Sequence, residues 1–217
     1  MSVRTLSRRD FLKTAGIALG GGIAACGGLT ALATYTPSVK LPASTLGDQT
    51  MSKKILIAYA SKCGSTGEVA TAIGRTLAQN NVYVDVLPIK QVADLAGYEV
   101  VFVGSAIRAG RWLREATDFV SGNRTVLQGV PTAYFTVCMT MAEDTPDNRA
   151  KAAGFIEPVR AVLTPAAEGY FAGKVDPARL SFVENAMLNA KHVPQGDFRD
   201  WNKIRDWAQS MYSTICA

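Results

Sequence analysis

The chain has 217 residues, of which 48% are hydrophobic and 19% charged, so it can form one domain with its own core. Its formal charge is +5, but residues 1–50 hold five basic and two acidic side chains, which leaves 18 basic and 16 acidic for the remainder. A body this close to neutral, without a basic run, excludes a nucleic-acid-binding protein.

The first 35 residues predict an export signal. Residues 7–13 read Ser-Arg-Arg-Asp-Phe-Leu-Lys, and residues 15–35 carry no charge, which is the pattern of a twin-arginine leader. Glycines recur through the uncharged stretch and would weaken a soluble helix, which argues against a buried helix there. Because twin-arginine export carries folded proteins, often around a cofactor, the leader indicates a bound prosthetic group.

Three endings of the leader stay open. Residues 23–26, Ile-Ala-Ala-Cys, resemble a lipobox in which Cys26 would be acylated, while the apolar stretch is also long enough to remain as a membrane anchor. Cleavage after Ala33 would instead release the protein. We expect a membrane-anchored protein on the extracytoplasmic side, with a free periplasmic or extracellular form as the alternative. The composition of residues 36–52 predicts a linker, and residues 53–217 form the domain.

The domain begins with a strand, a loop and a helix. Residues 55–60 are an apolar run typical of a strand buried on both faces, and Val69, Ile73 and Leu77 at four-residue spacing predict a helix. The loop therefore lies at a helix N-terminus, where unpaired backbone N–H groups and the macrodipole favour an anion. Its residues are Ser61, Lys62, Cys63, Gly64, Ser65 and Thr66. The spacing matches neither the Walker pattern nor G-x-G-x-x-G, so the loop predicts a phosphate site of another kind or an ordinary capped turn.

Strands and helices alternate through the rest of the domain. We predict further strands at residues 83–87, 100–105, 132–137 and 169–173, and helices at residues 112–121, 147–163, 181–191 and 201–215. This alternation predicts a parallel sheet with helices on both faces, in which ligands bind beyond the carboxyl ends of the strands. The loops after the first, third and fourth strands should converge there.

Four segments resemble the flavodoxin-domain family. They are Ser-Lys-Cys-Gly-Ser-Thr at 61–66, Gly-Ser-Ala-Ile-Arg at 104–108, Phe-Thr-Val-Cys-Met-Thr at 135–140 and Gly-Asp-Phe-Arg-Asp-Trp at 196–201. Within that family the chain is similar to the menaquinone-dependent protoporphyrinogen oxidases. The resemblance runs from about residue 53 to the end. It implies an α/β fold, a flavodoxin-like doubly wound five-stranded parallel sheet in the order 2-1-3-4-5, and non-covalently bound FMN.

The resemblance also implies which residues bind the cofactor. The FMN phosphate would lie on the loop at 61–66, and two further loops would flank its ring. Those two loops contribute Ser105, Ala106, Ile107 and Arg108, and Thr136, Val137, Cys138 and Met139. Arg108 would face the flavin or a substrate carboxylate, unless it is a solvated loop arginine. Many flavodoxins sandwich the ring between aromatic side chains, whereas here Trp112 is the only large aromatic close to these loops.

Two functions follow from the resemblance. The first is an FMN-binding redox protein that transfers electrons or carries out an oxidoreduction of the quinone-dependent protoporphyrinogen oxidase type, with a quinone or a redox protein as partner. The second is an anchored binding module that has lost its flavin. We expect no metal site, because the chain has one histidine, and no disulfide between Cys63 and Cys138, because the third strand separates their loops.

Overall fold

The structure is a computed structural model that describes residues 39–48, 50–51, 53–190 and 193–216. The predicted leader, including Cys26, lies outside the described residues. Within the described chain, residues 39–176 and 194–216 form one compact unit, and residues 177–193 belong to another.

The larger unit is built on a central sheet. Its strands are β1 Ser44–Leu46, β2 Lys54–Ala60, β3 Tyr83–Pro88, β4 Val100–Arg108, β5 Arg111–Trp112, β6 Thr132–Val137 and β7 Ala167–Phe171. The spatial order is β1-β3-β2-β4-β6-β7, with β5 paired to β4 alone. Strands β3, β2, β4, β6 and β7 are mutually parallel, which confirms the predicted flavodoxin-like order 2-1-3-4-5 when β2 is counted as the first strand. Two short strands, β8 Lys174–Val175 and β9 Gly196–Asp197, form a separate antiparallel pair.

Helices cover both faces of the sheet. In the larger unit they are α1 Ser65–Ala78, α2 Arg114–Gly122, α3 Arg124–Gln128, α4 Pro146–Gly154, α5 Glu157–Arg160 and α7 Trp201–Met211. Helix α6, Phe182–Ala190, belongs to the smaller unit. Side chains alternate between the two faces of β2, as a strand requires. Ile57 packs in one core with residues of α1 and α7, and Leu56 packs in a second core with residues of α2 and α5.

The N-terminal edge of the sheet is an added strand. Strand β1 runs antiparallel to β3, with Ser44 opposite Val86 and Leu46 opposite Val84. The hydroxyl of Tyr59 donates to the carbonyl of Pro42, just before β1. Part of the segment predicted as a linker is therefore attached to the domain as an edge strand.

The helix predicted over residues 147–163 and the closing helix differ from the structure for identifiable reasons. The helix predicted over residues 147–163 is divided into α4 and α5, because Pro158 lacks an amide donor and clashes with the preceding turn, so it is accommodated only at the start of a new helix. The closing helix ends at Met211 and continues as a π-helical turn, Tyr212–Cys216.

The smaller unit contains a 3-10 turn, Pro177–Arg179, followed by α6. A capping box starts this helix: the amide of Ser181 donates to the Glu184 carboxylate at 2.9 Å, and the Ser181 hydroxyl accepts from the Glu184 amide at 3.2 Å. Its apolar side chains Phe182, Val183 and Met187 are exposed. No helix in the described part of the chain has the length and apolar composition needed to cross a membrane.

Candidate functional site

The loop after β2 is closed into a tight turn at the N-terminus of α1. Gly64 adopts φ +90°, the left-handed region that favours glycine. Its amide donates to the Ser61 hydroxyl at 3.0 Å, and its carbonyl accepts from the amide of Glu68 at 3.1 Å. The turn therefore places the backbone of residues 61–64 directly before α1, a helix of 14 residues whose first two residues are Ser65 and Thr66.

Thr66 carries a buried hydroxyl without a hydrogen-bond partner in this loop. Its side chain is fully buried, and its Oγ1 has no hydrogen-bond partner. A buried hydroxyl left in this way costs on the order of 1–3 kcal/mol, so a ligand that pairs with it is favoured. The hydroxyl, the first-turn amides of α1 and the left-handed glycine together make a donor set that fits a phosphate.

The ammonium group of Lys62 lies near a carboxylate of α2. Its Nζ lies 3.8 Å from Oε2 of Glu115 on α2, and Lys90 approaches the same carboxylate at 3.5 Å. The contribution of Lys62 to an anion site in this conformation would come from its backbone rather than from its charge.

The segment predicted as a loop at residues 106–111 is a hairpin. Ile107 pairs with Trp112 and Arg108 with Arg111 across β4 and β5. The two residues between them, Ala109 and Gly110, have φ values of +49° and +72°. Two successive positive values are the signature of a type I′ turn, which holds Arg108 at the end of a regular strand.

Polar side chains tie this hairpin to β6. The Ser105 hydroxyl accepts from the amide of Leu113 at 3.0 Å and donates to the carbonyl of Ala106 at 2.9 Å. The indole N–H of Trp112 donates to Oγ1 of the buried Thr136 at 2.9 Å. The indole itself is buried against Tyr134, at 5.0 Å between ring centroids. Trp112 therefore joins the two loops and does not offer an open face for stacking.

The loop after β6 is largely packed into the protein. Val137 and Cys138 are buried, Met139 is half-buried, and Met141 packs in a small cluster with Cys138. Burial raises the pKa of the Cys138 thiol, which keeps it protonated near neutral pH. Among the described residues, Cys63, Cys138 and Cys216 form no disulfide, and no cluster of potential metal ligands is found.

Strand register brings the predicted residues to one end of the sheet. Ala60 is opposite Ser105, and Ser105 is opposite Thr136, so the loops after β2, β4 and β6 start from neighbouring strands at the same level. Adjacent strands lie about 5 Å apart, which places these loops within reach of one small ligand. The assignment of individual residues to ligand contacts stays a prediction.

Sequence reasoning assigned no role to one residue beside this site. Arg199 belongs to the segment Gly-Asp-Phe-Arg-Asp-Trp, which contributed only to the resemblance. Its Nη1 lies 2.5 Å from Oε2 of Glu68 in the first turn of α1. The sequence signal that could have pointed to it is an arginine just before a helix, with one aspartate two residues before it and another directly after it.

Known proteins resemble this chain in sequence or in fold. A protein named protoporphyrinogen IX dehydrogenase [quinone] from Leishmania major is 28% identical over 166 residues, which cover 72% of this chain and 71% of that protein. Its namesake from Escherichia coli K12 is 27% identical over 86 residues, 39% of this chain and 48% of that protein. Flavodoxin 1 from Bacillus cereus superposes with a TM-score of 0.52 at 15% identity, covering 75% of this chain and 99% of its own, which shows a common fold.

The flavodoxin domain family matches residues 56–200. This segment contains the loop at 61–66, the β4–β5 hairpin, the loop after β6 and Arg199. It spans more than half of the chain and includes every part of the candidate site. The chain belongs to the flavodoxin domain family.

Proposed function

We propose that this protein binds FMN and acts as a redox protein. The observation that carries the proposal is the buried, partnerless hydroxyl of Thr66, set beside the left-handed Gly64 at the N-terminus of α1. That donor set suits a phosphate monoester, and it lies at the end of the sheet where doubly wound folds bind their ligands. The family match and the relatives named as quinone-linked dehydrogenases support a flavin over other phosphate-bearing ligands.

The residues of this chain would hold and orient the cofactor. Thr66, Ser65 and the backbone of residues 61–65 would bind the phosphate, and the backbone of residues 105–108 and 136–139 would line the position of the ring. FMN, when bound, supplies one- and two-electron redox chemistry. The protein would contribute position, charge and exclusion of water.

The proposed reaction is electron transfer or a flavin-dependent oxidoreduction with a quinone or a redox protein as partner. The names of the two relatives support the quinone. Export by the twin-arginine route and tethering through residues 1–35 belong to the same proposal, supported by the Ser-Arg-Arg-Asp-Phe-Leu-Lys segment. Intact-mass measurement of the mature protein tests them, because acylation of Cys26, retention of the leader and cleavage after Ala33 give different masses.

A second candidate is an anchored binding module without flavin. It is favoured by the two loops predicted to flank the flavin ring, where the hydroxyls of Ser105 and Thr136 already pair within the protein and Trp112 is buried. Fewer side-chain groups in these loops are then available to bind a flavin ring. The partnerless hydroxyl of Thr66 favours the FMN-binding function over this one.

One titration series separates the two candidates. We expect the full chain, purified after native export, to carry flavin absorbance or to take up FMN at micromolar concentration. Thr66→Val should weaken FMN by about 10- to 100-fold, the value of a hydrogen bond to a charged group, and leave riboflavin affinity unchanged. Thr76→Val is the matched control, because Thr76 lies on the same helix and its hydroxyl donates to the carbonyl of Ala72. A colourless protein that refuses FMN would favour the binding module.

A further inference from the structure

Arg199 is a buried cation held by two carboxylates. Its Nε and Nη2 donate to the two oxygens of Asp197 at 2.7 and 2.6 Å, and its Nη1 donates to Glu68 at 2.5 Å. Its guanidinium carbon, Cζ, lies over the ring of Trp201, 4.4 Å from the centroid. Only 4% of the side chain is exposed, which leaves almost no surface on which it could contact a ligand directly.

The pKa shifts of Arg199 and Asp197 favour the charged form of both groups. Burial alone would lower the pKa of Arg199, but the hydrogen bonds that it donates to Asp197 and Glu68 outweigh burial and raise the pKa above its ordinary value. The hydrogen bond from Arg199 lowers the pKa of Asp197. Arg199 and Asp197 are therefore both charged throughout the physiological pH range.

Glu68 gives this cluster its connection to the candidate site. It lies in the first turn of α1, and its amide donates to the carbonyl of Gly64. A carboxylate in the first turn is attracted to the same unpaired amides and the same positive end of the helix dipole that a phosphate would use. It would also repel a phosphate bound there, because like charges at short range disfavour each other.

We propose that Arg199 is a positioning residue that holds the Glu68 carboxylate off the N-terminus of α1 and offsets its charge, which keeps that N-terminus available to the phosphate of FMN. The inference rests on the proposed function. It names a residue outside the loop at 61–66 that determines the affinity of the protein for the phosphate of FMN. The short contact to Glu68, the burial of Arg199 and the position of Glu68 one turn after Ser65 carry it.

The test is a double-mutant cycle read with two ligands. FMN and riboflavin are titrated by flavin fluorescence into the full chain and into Arg199→Met, Glu68→Gln and the double variant. We expect Arg199→Met to weaken FMN about tenfold or more and riboflavin by less than about threefold, because riboflavin has no phosphate. Glu68→Gln alone should bind both ligands about as the parent does. The double variant should regain FMN affinity, since the competing charge is gone.

Arg199→Lys is the conservative control in case Arg199→Met fails to fold. It keeps the positive charge but lacks the planar fork, so it should fall between the parent and Arg199→Met in FMN affinity. Urea unfolding of every variant without flavin reports stability separately.

Four results would overturn the inference, and only the last of them would also overturn the proposed function. If the double variant stays as weak as Arg199→Met, or if FMN and riboflavin weaken together, Arg199 has only a structural role and the inference is overturned while FMN binding stands. If all variants bind FMN equally, the inference is overturned in the same way. If the parent chain binds no flavin at all, the proposed function fails and the inference fails with it.

Discussion

The predicted phosphate loop at residues 61–66 and the predicted ring-side loops at residues 104–112 and 135–142 use their polar groups differently. The phosphate loop leaves the hydroxyl of Thr66 buried and unpaired at a helix N-terminus. The ring-side loops pair theirs internally, Ser105 with Leu113 and Trp112 with Thr136. We therefore expect side chains of the first loop to supply ligand affinity directly, and those of the other loops to supply rigidity. Variants on the ring side should change stability, or the affinity for FMN and riboflavin together, whereas Thr66→Val changes FMN alone.

The largest effect is expected at Gly104 in β4. A Cβ added there would lie 1.9 Å from Cζ of Phe135 and would clash with this aromatic ring on the neighbouring strand β6. Gly104→Ala should therefore lower the free energy of unfolding by about 3 kcal/mol, the upper part of the range for overpacked cores. Urea unfolding of the protein without flavin measures this change.

Gly122→Ala is the control for that substitution, because a Cβ at Gly122, the last residue of α2, meets nothing within 4 Å. It should leave the unfolding midpoint nearly unchanged. Equal stability of the Gly104 and Gly122 variants would show that the β4–β6 packing yields easily, and would contradict the rigidity assigned to the ring-side loops.

A smaller effect is expected at Trp112. Trp112→Phe preserves an aromatic ring but removes the donor to Thr136, which leaves a buried oxygen without this partner and costs about 1–2 kcal/mol. Because this bond joins the two ring-side loops, we expect affinity for FMN and for riboflavin to fall by the same factor. Trp207→Phe is the control, since its ring packs edge-on against Phe102 and Phe171 in the core beneath α7. Loss of FMN binding with riboflavin binding intact would refute the division between the two regions.

The smallest effect is expected at Asp144, beyond the loop after β6. It bonds Lys203 of α7 at 2.8 Å and Arg149 of α4 at 2.6 Å, and the bond from Lys203 is the main cause that lowers its pKa below the ordinary 3.8. A carboxylate with a lowered folded-state pKa stabilises the protein above its unfolded pKa, and this contribution is lost as the pH falls. Asp144→Asn should cost up to about 1 kcal/mol at pH 7 and progressively less below about pH 4.

Urea unfolding of Asp144→Asn between pH 7 and pH 3 tests that dependence. Asp206→Asn, which removes an exposed charge from α7, is the control. A stability difference for Asp144→Asn that stays constant with pH would assign the change to packing instead of ion pairing.

Much of the fold could be predicted where one pattern dominates. The apolar run of β2, the four-residue spacing of α1 and the apolar stretch Thr132–Val137 are decided by burial on the sheet, and the structure confirms all three. Strand β1 could not be predicted, because three residues in a segment with prolines and glycine become a strand only by pairing with β3. The β4–β5 hairpin was missed because its turn begins with Ala109, a residue that rarely adopts a positive φ.

The candidate site shows the same limit. Residue types and the helix N-terminus predict a phosphate loop at residues 61–66, and that assignment stays a prediction. They could not show that the hydroxyls of Ser105 and Thr136 pair within the protein, since their partners Leu113 and Trp112 are positioned only by the hairpin. Nor could they show that Arg199 contacts Glu68, 131 residues away in the chain.

The direction of β1 has a practical consequence for experiments on this protein. Because β1 is antiparallel to β3, the chain enters the domain at the same end of the sheet as the candidate site. The carbonyl of Cys216 instead accepts from the side chain of Lys53, which precedes β2 at the opposite end. An affinity tag or surface attachment fused directly before residue 39 would stand at the same end of the sheet as the candidate site, whereas immobilisation through the C-terminus would hold the domain by the opposite end.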